Sequence, residues 1–197
     1  GKLTHASDLD LIYLFTEGAE ESDGPRPLGR TLYFNRLAQR IGGALSVPTA
    51  EGALYEVDTR LRPQGAQGPL AVALSAFARY QRDEAWTWEH MALTRARVLA
   101  GSSESRAVIE KVIADVLDRP RDAVVLRADV LRMRAEMAAH KPPRGALDVK
   151  LMRGGLVDLE FLVHFLQLRG RTAFEPDLSV AAAALAERGL LPAALCQ

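Results

Sequence analysis

Cysteine is almost missing from this chain: Cys196 is the single one among 197 residues. A lone thiol closes no internal disulfide, so a cross-linked secreted scaffold is not expected and a reducing cytoplasm is. Surplus charge is missing too. Lys and Arg number 25, Asp and Glu number 25, and the sequence pI is near 7.1, so no bulk attraction to nucleic acid or anionic membrane is expected. No apolar run approaches the roughly 20 residues of a membrane span, and no signal peptide is read at the start. The four histidines, His5, His90, His140 and His164, show no paired metal-ligand spacing. The chain opens almost inside a strand pattern and stops just after a helical one, so it reads as a segment of a longer protein. Its length suits one large domain or two small ones.

What the chain does contain is carboxylates at strand spacing. In Ser7-Asp8-Leu9-Asp10-Leu11 the acids stand at i and i+2, which share one face of a strand. Clustered carboxylates repel, and a divalent cation relieves the repulsion. Magnesium is the usual partner where phosphates are bound. The plainer reading is a pair of solvent-facing acids at a strand end. The apolar flanks Leu9, Leu11, Ile12, Leu14 and Phe15 argue instead for acids at a buried strand, where an unpaired charge is costly. A second segment, Leu54 to Pro63, repeats the form: Asp58 lies among Leu54, Tyr55 and Val57, with Arg60 and Arg62 following on its face. A guanidinium fork suits phosphate, while ion pairs with nearby acids are the competing reading.

Periodicity predicts a strand over Leu9–Phe15, a mobile loop over Thr16–Gly29, a helix over Thr31–Leu45, a second strand over Leu54–Leu61 and a short third over Leu70–Leu74. Ser75 is placed to cap a helix over Ala76–Arg82, and Asp83 one over Glu84–Leu99. Helices are expected over Ser103–Leu117, Asp122–His140, Leu156–Leu168 and Ser179–Leu190, with Leu147–Leu151 extended. The architecture is therefore α+β, a small α/β unit followed by a mostly helical one.

Gln64-Gly65-Ala66-Gln67-Gly68-Pro69 lacks the Walker A Lys-Ser/Thr and dinucleotide spacing, and reads as a turn. Trp86 and Trp88 are expected in the core. Asp148 and Lys150 share a strand face and pair in the simplest reading. Gly154-Gly155 allows close backbone packing at a helix start, and Asp158 suits a first helical turn through the helix dipole.

Taken in order, Ser7–Leu11, Leu54–Pro63, Tyr80–His90 with its Glu-Ala-Trp-Thr-Trp-Glu-His string, Arg95–Val98 and Asp148–Phe161 resemble the bifunctional glutamine synthetase adenylyltransferases of proteobacteria. The likeness runs over essentially the whole chain. It implies a polymerase beta-like nucleotidyltransferase core over 1–100, then a helical region over 101–197. The family joins a domain that removes AMP by phosphorolysis to one that adds it, and Glu84–Val98 and Asp158 look like the adding domain. The resemblance implies magnesium held by Asp8, Asp10 and Asp58, and Gly1 and Ser7 beside the nucleotide. Arg60 and Arg62 join the nucleotide site by spacing. It further implies ATP as substrate, glutamine synthetase as the protein modified, and a PII-type nitrogen signal protein acting through the full-length enzyme. Only Gly1 remains of the family's upstream glycine element, and Ala6 stands where glycine is frequent. Alternatives are the removing domain, a non-catalytic nucleotide-binding module, and a nucleic-acid nucleotidyltransferase, which the zero net charge disfavours.

Overall fold

Two sets of elements follow one another in the computed structural model, which describes residues 8–52, 55–145, 147–192 and 194. The division between compact units falls between Ala85 and Trp86.

The first unit contains β1 (Leu9–Asp10), β2 (Tyr13–Phe15), α1 (Arg30–Ser46), β3 (Val57–Asp58), β4 (Ala71–Ala73) and α2 (Leu74–Asp83). β1 pairs in parallel with β3, and β2 in parallel with β4. Parallel neighbours need a long crossover, and α1 supplies it. The strand expected over Leu9–Phe15 divides because its partner changes. The amides of Leu9 and Leu11 donate to Glu56 and Asp58 carbonyls, both at 2.8 Å, whereas Tyr13 to Phe15 run beside Ala71 to Ala73.

Phe15, Ala38 and Ala71 form the buried centre between α1 and the strands. Phe15 stacks on Phe34 with ring centroids 4.8 Å apart. Asn35 ties helix to strand: its Oδ1 accepts from the Leu70 amide at 2.6 Å, and its Nδ2 donates to the Thr31 carbonyl at 2.7 Å.

Two local readings are corrected here. Ser75 is not a cap. The helix begins one residue earlier, at Leu74, directly out of β4, and the Ser75 hydroxyl donates to Glu17 Oε1 at 2.7 Å. The Thr16–Gly29 stretch is more ordered than its composition suggests. Glu21 and Gly29 form an antiparallel bridge, and Arg30 reaches back to Glu17 Oε2 (2.8 Å), the Ala19 carbonyl (2.8 Å) and the Gly18 carbonyl.

The second unit is helical: α3 (Thr87–Leu93), α4 (Ser103–Leu117), α5 (Ala123–His140), α6 (Leu156–Gly170) and α7 (Leu178–Glu187). Its core gathers Val163, Leu166, Ala181, Ala182 and Leu185, with Ala173 and Leu191. Ser102, Asp122 and Asp177 cap α4, α5 and α7 through their side chains, which fixes those starts. Arg121 donates to the Val116 and Leu117 carbonyls, closing the C-terminal end of α4.

The helix expected over Glu84–Leu99 is shorter. Asp83 ends α2 instead of capping a new helix, and Glu89 reaches back to accept the Trp86 amide at 2.9 Å. At the far end the Thr94 hydroxyl donates to the Met91 carbonyl at 2.7 Å. The tryptophans are not core residues: Trp86 is 66% exposed and Trp88 42%. Leu147–Leu151 is not extended either. The Asp148 carboxylate accepts the amides of Arg144 (3.1 Å), Lys150 (3.2 Å) and Leu151 (3.0 Å), folding the segment into turns. Asp148 therefore caps its own loop.

Candidate active site

The β1–β3 register sets Asp10 directly beside Asp58. Neighbouring strands lie about 4.8 Å apart, so acids distant in sequence become lateral neighbours. Asp8 precedes Asp10 by two positions. Gly1 and Ser7 lie outside the described residues.

Asp58 is engaged by Arg60. Arg60 Nε lies 3.0 and 2.9 Å from Asp58 Oδ1 and Oδ2, Nη2 bonds Oδ2, and the Arg60 amide donates to Oδ1 at 2.8 Å. These bonds hold the Asp58 carboxyl below the usual carboxylate range, and partial burial opposes them. Asp58, in turn, raises the Arg60 guanidinium, with smaller help from Asp10 and Asp8.

Arg62 has a different environment. It is 7% exposed, and its guanidinium donates to the carbonyls of Pro69 (2.9 Å), Gly68 (3.2 Å) and Thr59 and to Thr59 Oγ1 (3.0 Å). It fastens the loop that follows β3. That loop satisfies itself: the amides of Gly65, Gln67 and Gly68 donate to the carbonyls of Arg62, Gln64 and Gly65. A Cβ at Gly68 would lie 2.3 Å from the Pro63 carbonyl oxygen, so only glycine fits there.

Among the described residues no group of three acidic, histidine or cysteine side chains converges to hold a metal ion. The Asp58 carboxylate is turned onto a guanidinium. The donor chemistry still suits magnesium, which takes one or two carboxylates and completes its shell with water and substrate phosphates. Asp10 and Asp58 offer hard oxygens side by side, with Asp8 next along the chain.

The residues singled out further along the sequence have structural partners. Asp158 is pulled up by burial, but the Gly154 amide (2.6 Å) and Arg134 prevail and hold it low. His90 Nδ1 lies 3.4 Å from Arg121 Nη2. Gly155 sits where a Cβ would approach the carbonyls of Val149 (2.6 Å) and Met152 (2.8 Å), the close packing its sequence position suggests.

Sequence reasoning missed two features. One is the Arg30 clamp, beside an open depression of about 550 Å³ lined in part by Phe15, Glu17, Arg30 and Ala73. The other is a buried polar chain. The Thr94 hydroxyl proton goes to Met91, so His164 Nδ1 is the donor to Thr94 Oγ1 (2.8 Å) and Gln167 Oε1 (2.9 Å), while Gln167 Nε2 donates to the Ala173 carbonyl (2.6 Å). No short-range spacing gave a sign of it, since Thr94, at the end of α3, meets His164 of α6 across 70 positions of sequence.

A family model described as glutamate-ammonia ligase adenylyltransferase matches residues 1–112. Similar curated proteins carry the name bifunctional glutamine synthetase adenylyltransferase/adenylyl-removing enzyme. One from Brucella suis is 54% identical over 86% of this chain and 17% of its own length. One from Agrobacterium fabrum is 48% identical over 92% of this chain and 19% of its own. One from Rhizobium meliloti is 50% identical over 85% and 17%. The chain thus spans less than a fifth of the length of these relatives.

Proposed function

From the premise that this chain belongs to the glutamate-ammonia ligase adenylyltransferase family, we propose that it transfers AMP from ATP to a tyrosine hydroxyl of glutamine synthetase and releases pyrophosphate. The observation that carries the reading is the register that sets Asp10 beside Asp58. Asp8, Asp10 and Asp58 would hold magnesium, within a nucleotidyltransferase core over 1–100 that precedes the helical region over 101–197. When bound, the ion neutralises triphosphate charge and lowers the pKa of the attacking hydroxyl.

The chain's own residues do the rest. β1 and β3 hold the carboxylates in register, so their geometry is set by backbone pairing. Arg62 fixes the loop after β3, which steadies the backbone carrying Arg60. The exposed Arg60 guanidinium, paired with Asp58 here, would offer its fork to phosphate oxygens once released from that carboxylate, as negative charge builds on the leaving pyrophosphate. Asp58 would either help hold the ion or take the tyrosine proton. The setting is cytoplasmic, and a PII-type signal protein would act through the longer enzyme. Among the described residues no helix is long and apolar enough to cross a membrane.

The names of the relatives combine both directions of the chemistry, so AMP removal is the second reading. The two separate in one assay pair. Unmodified glutamine synthetase with magnesium-ATP yields pyrophosphate and AMP-tagged synthetase if this chain adenylylates. Adenylylated synthetase with phosphate yields ADP if it removes. Asp10→Asn lowers the operating reaction by at least about a hundredfold, as loss of a metal-assisted step does. Near-native transfer by Asp10→Asn would end the carboxylate assignment.

A further inference from the structure

Asp58 faces its surroundings already paired with a cation. The Arg60 fork contacts both carboxylate oxygens, at 3.0 and 2.9 Å from Nε, and Asp10 and Asp8 attract the same guanidinium. A positive group therefore stands among the acids that β1 and β3 bring together. Its side chain is 76% exposed while that of Asp58 is 19% exposed, so the pair holds its guanidinium at the solvent edge of the carboxylate. Arg62 is the contrast, buried and bonded to loop carbonyls.

We infer that Arg60 is the resident counter-cation of the carboxylate site: a divalent cation binds by displacing its guanidinium from Asp58, and the displaced fork then becomes available to a nucleotide phosphate. The inference rests on the proposed reading of Asp8, Asp10 and Asp58 as metal ligands. Displacement removes one charge from Asp58 as another arrives, so the carboxylates never face each other uncompensated. Cation and triphosphate are thereby coupled, because the ion frees the group the phosphate uses. Coupling of this kind is reciprocal and typically worth roughly tenfold in affinity.

The test measures binding of Mn²⁺ alone, by loss of the free-ion electron paramagnetic resonance signal, with and without a non-hydrolysable ATP analogue. Native chain, Arg60→Gln, Arg60→Lys and Asp10→Asn are compared, with circular dichroism as the folding check. The expected result is roughly tenfold tighter Mn²⁺ binding without nucleotide in Arg60→Gln. The boost that the analogue gives the native chain should also disappear in that variant. Arg60→Lys, which keeps the charge but not the fork, falls between the two, and it serves if Arg60→Gln fails to fold. Unchanged Mn²⁺ affinity and unchanged coupling in the Arg60 variants, with weakened binding in Asp10→Asn, would overturn the role of Arg60 and leave the metal site standing. Binding indifferent to Asp10→Asn as well would remove the metal reading and the inference together.

Discussion

Arg60 and Arg62 leave the same strand end, two positions apart, and meet different surroundings. Arg62 turns inward onto three loop carbonyls, while Arg60 turns outward onto Asp58. Strand alternation alone would have given them one role, since i and i+2 share a face. The alternation fails here because the ladder ends at Asp58 and the chain enters a turn, with Gln64 at a φ of 63°. His164 shows a different residue-scale effect. Burial pulls its imidazole below the ordinary 6.5, against a smaller upward pull from Gln167. The unfolded chain regains the ordinary value, so below about pH 6.5 it takes up a proton that the folded chain resists. The stability from a neutral His164 is full above that pH and declines as pH falls through it. Melting temperatures measured across this window should drop with acidity in the native chain and drop less in His164→Gln. Equal slopes would show that the ring is not titrating as the fold requires.

At the scale of elements, the start of α6 depends on a glycine. The Leu156 and Val157 amides donate to the Val149 and Lys150 carbonyls at 2.9 and 3.1 Å, so the loop itself supplies the acceptors a helix start needs. Gly155 lets that loop approach. Gly155→Ala places a methyl against backbone oxygens that cannot rotate aside, and it should cost about 1–3 kcal/mol. Hydrogen exchange at Leu156 and Val157 should accelerate far more than in α4, and protection unchanged at both amides would refute the account. Elements such as α4 and α5 lie where apolar periodicity put them, over Ser103–Leu117 and Ala123–His140, with Asp122 capping the second instead of opening it. The Glu84–Leu99 helix was misread because its true start is signalled by Glu89 reaching backward, which looks in sequence like one more helical glutamate. The turn at Asp148 was hidden for a related reason, since a lone acid at strand spacing gives no sign that its partners are the amides around it. The register of Asp10 with Asp58 follows the strand period read from the sequence, but the apolar flanks misled about burial, since Asp8 and Asp10 are exposed and Leu9, Leu11, Ile12 and Leu14 are only half-buried. The pairing with Arg60 was not legible, because it depends on where the ladder stops.

At the scale of the whole molecule, balanced charge makes a prediction of its own. With formal net charge zero, the chain has no counterion-release drive of the kind that dominates nucleic-acid affinity. Fluorescence anisotropy with a single-stranded oligonucleotide at physiological salt should show no binding at micromolar chain. Saturable binding there would revive a nucleic-acid substrate.

The β1–β3 pairing has a consequence for how the molecule comes into being. Asp10 and Asp58 become neighbours only after the chain has run through α1 and returned. Contacts of such long sequence separation form slowly, because the loop must close before the pairing rewards it. No early collapsed species, and no nascent chain still short of residue 58, can present both acids at once. On the proposed reading of these acids as metal ligands, affinity for a divalent ion should therefore arrive late in refolding, together with the final parallel ladder, and a rapid-mixing trace of Mn²⁺ uptake would time the completion of this one strand pair.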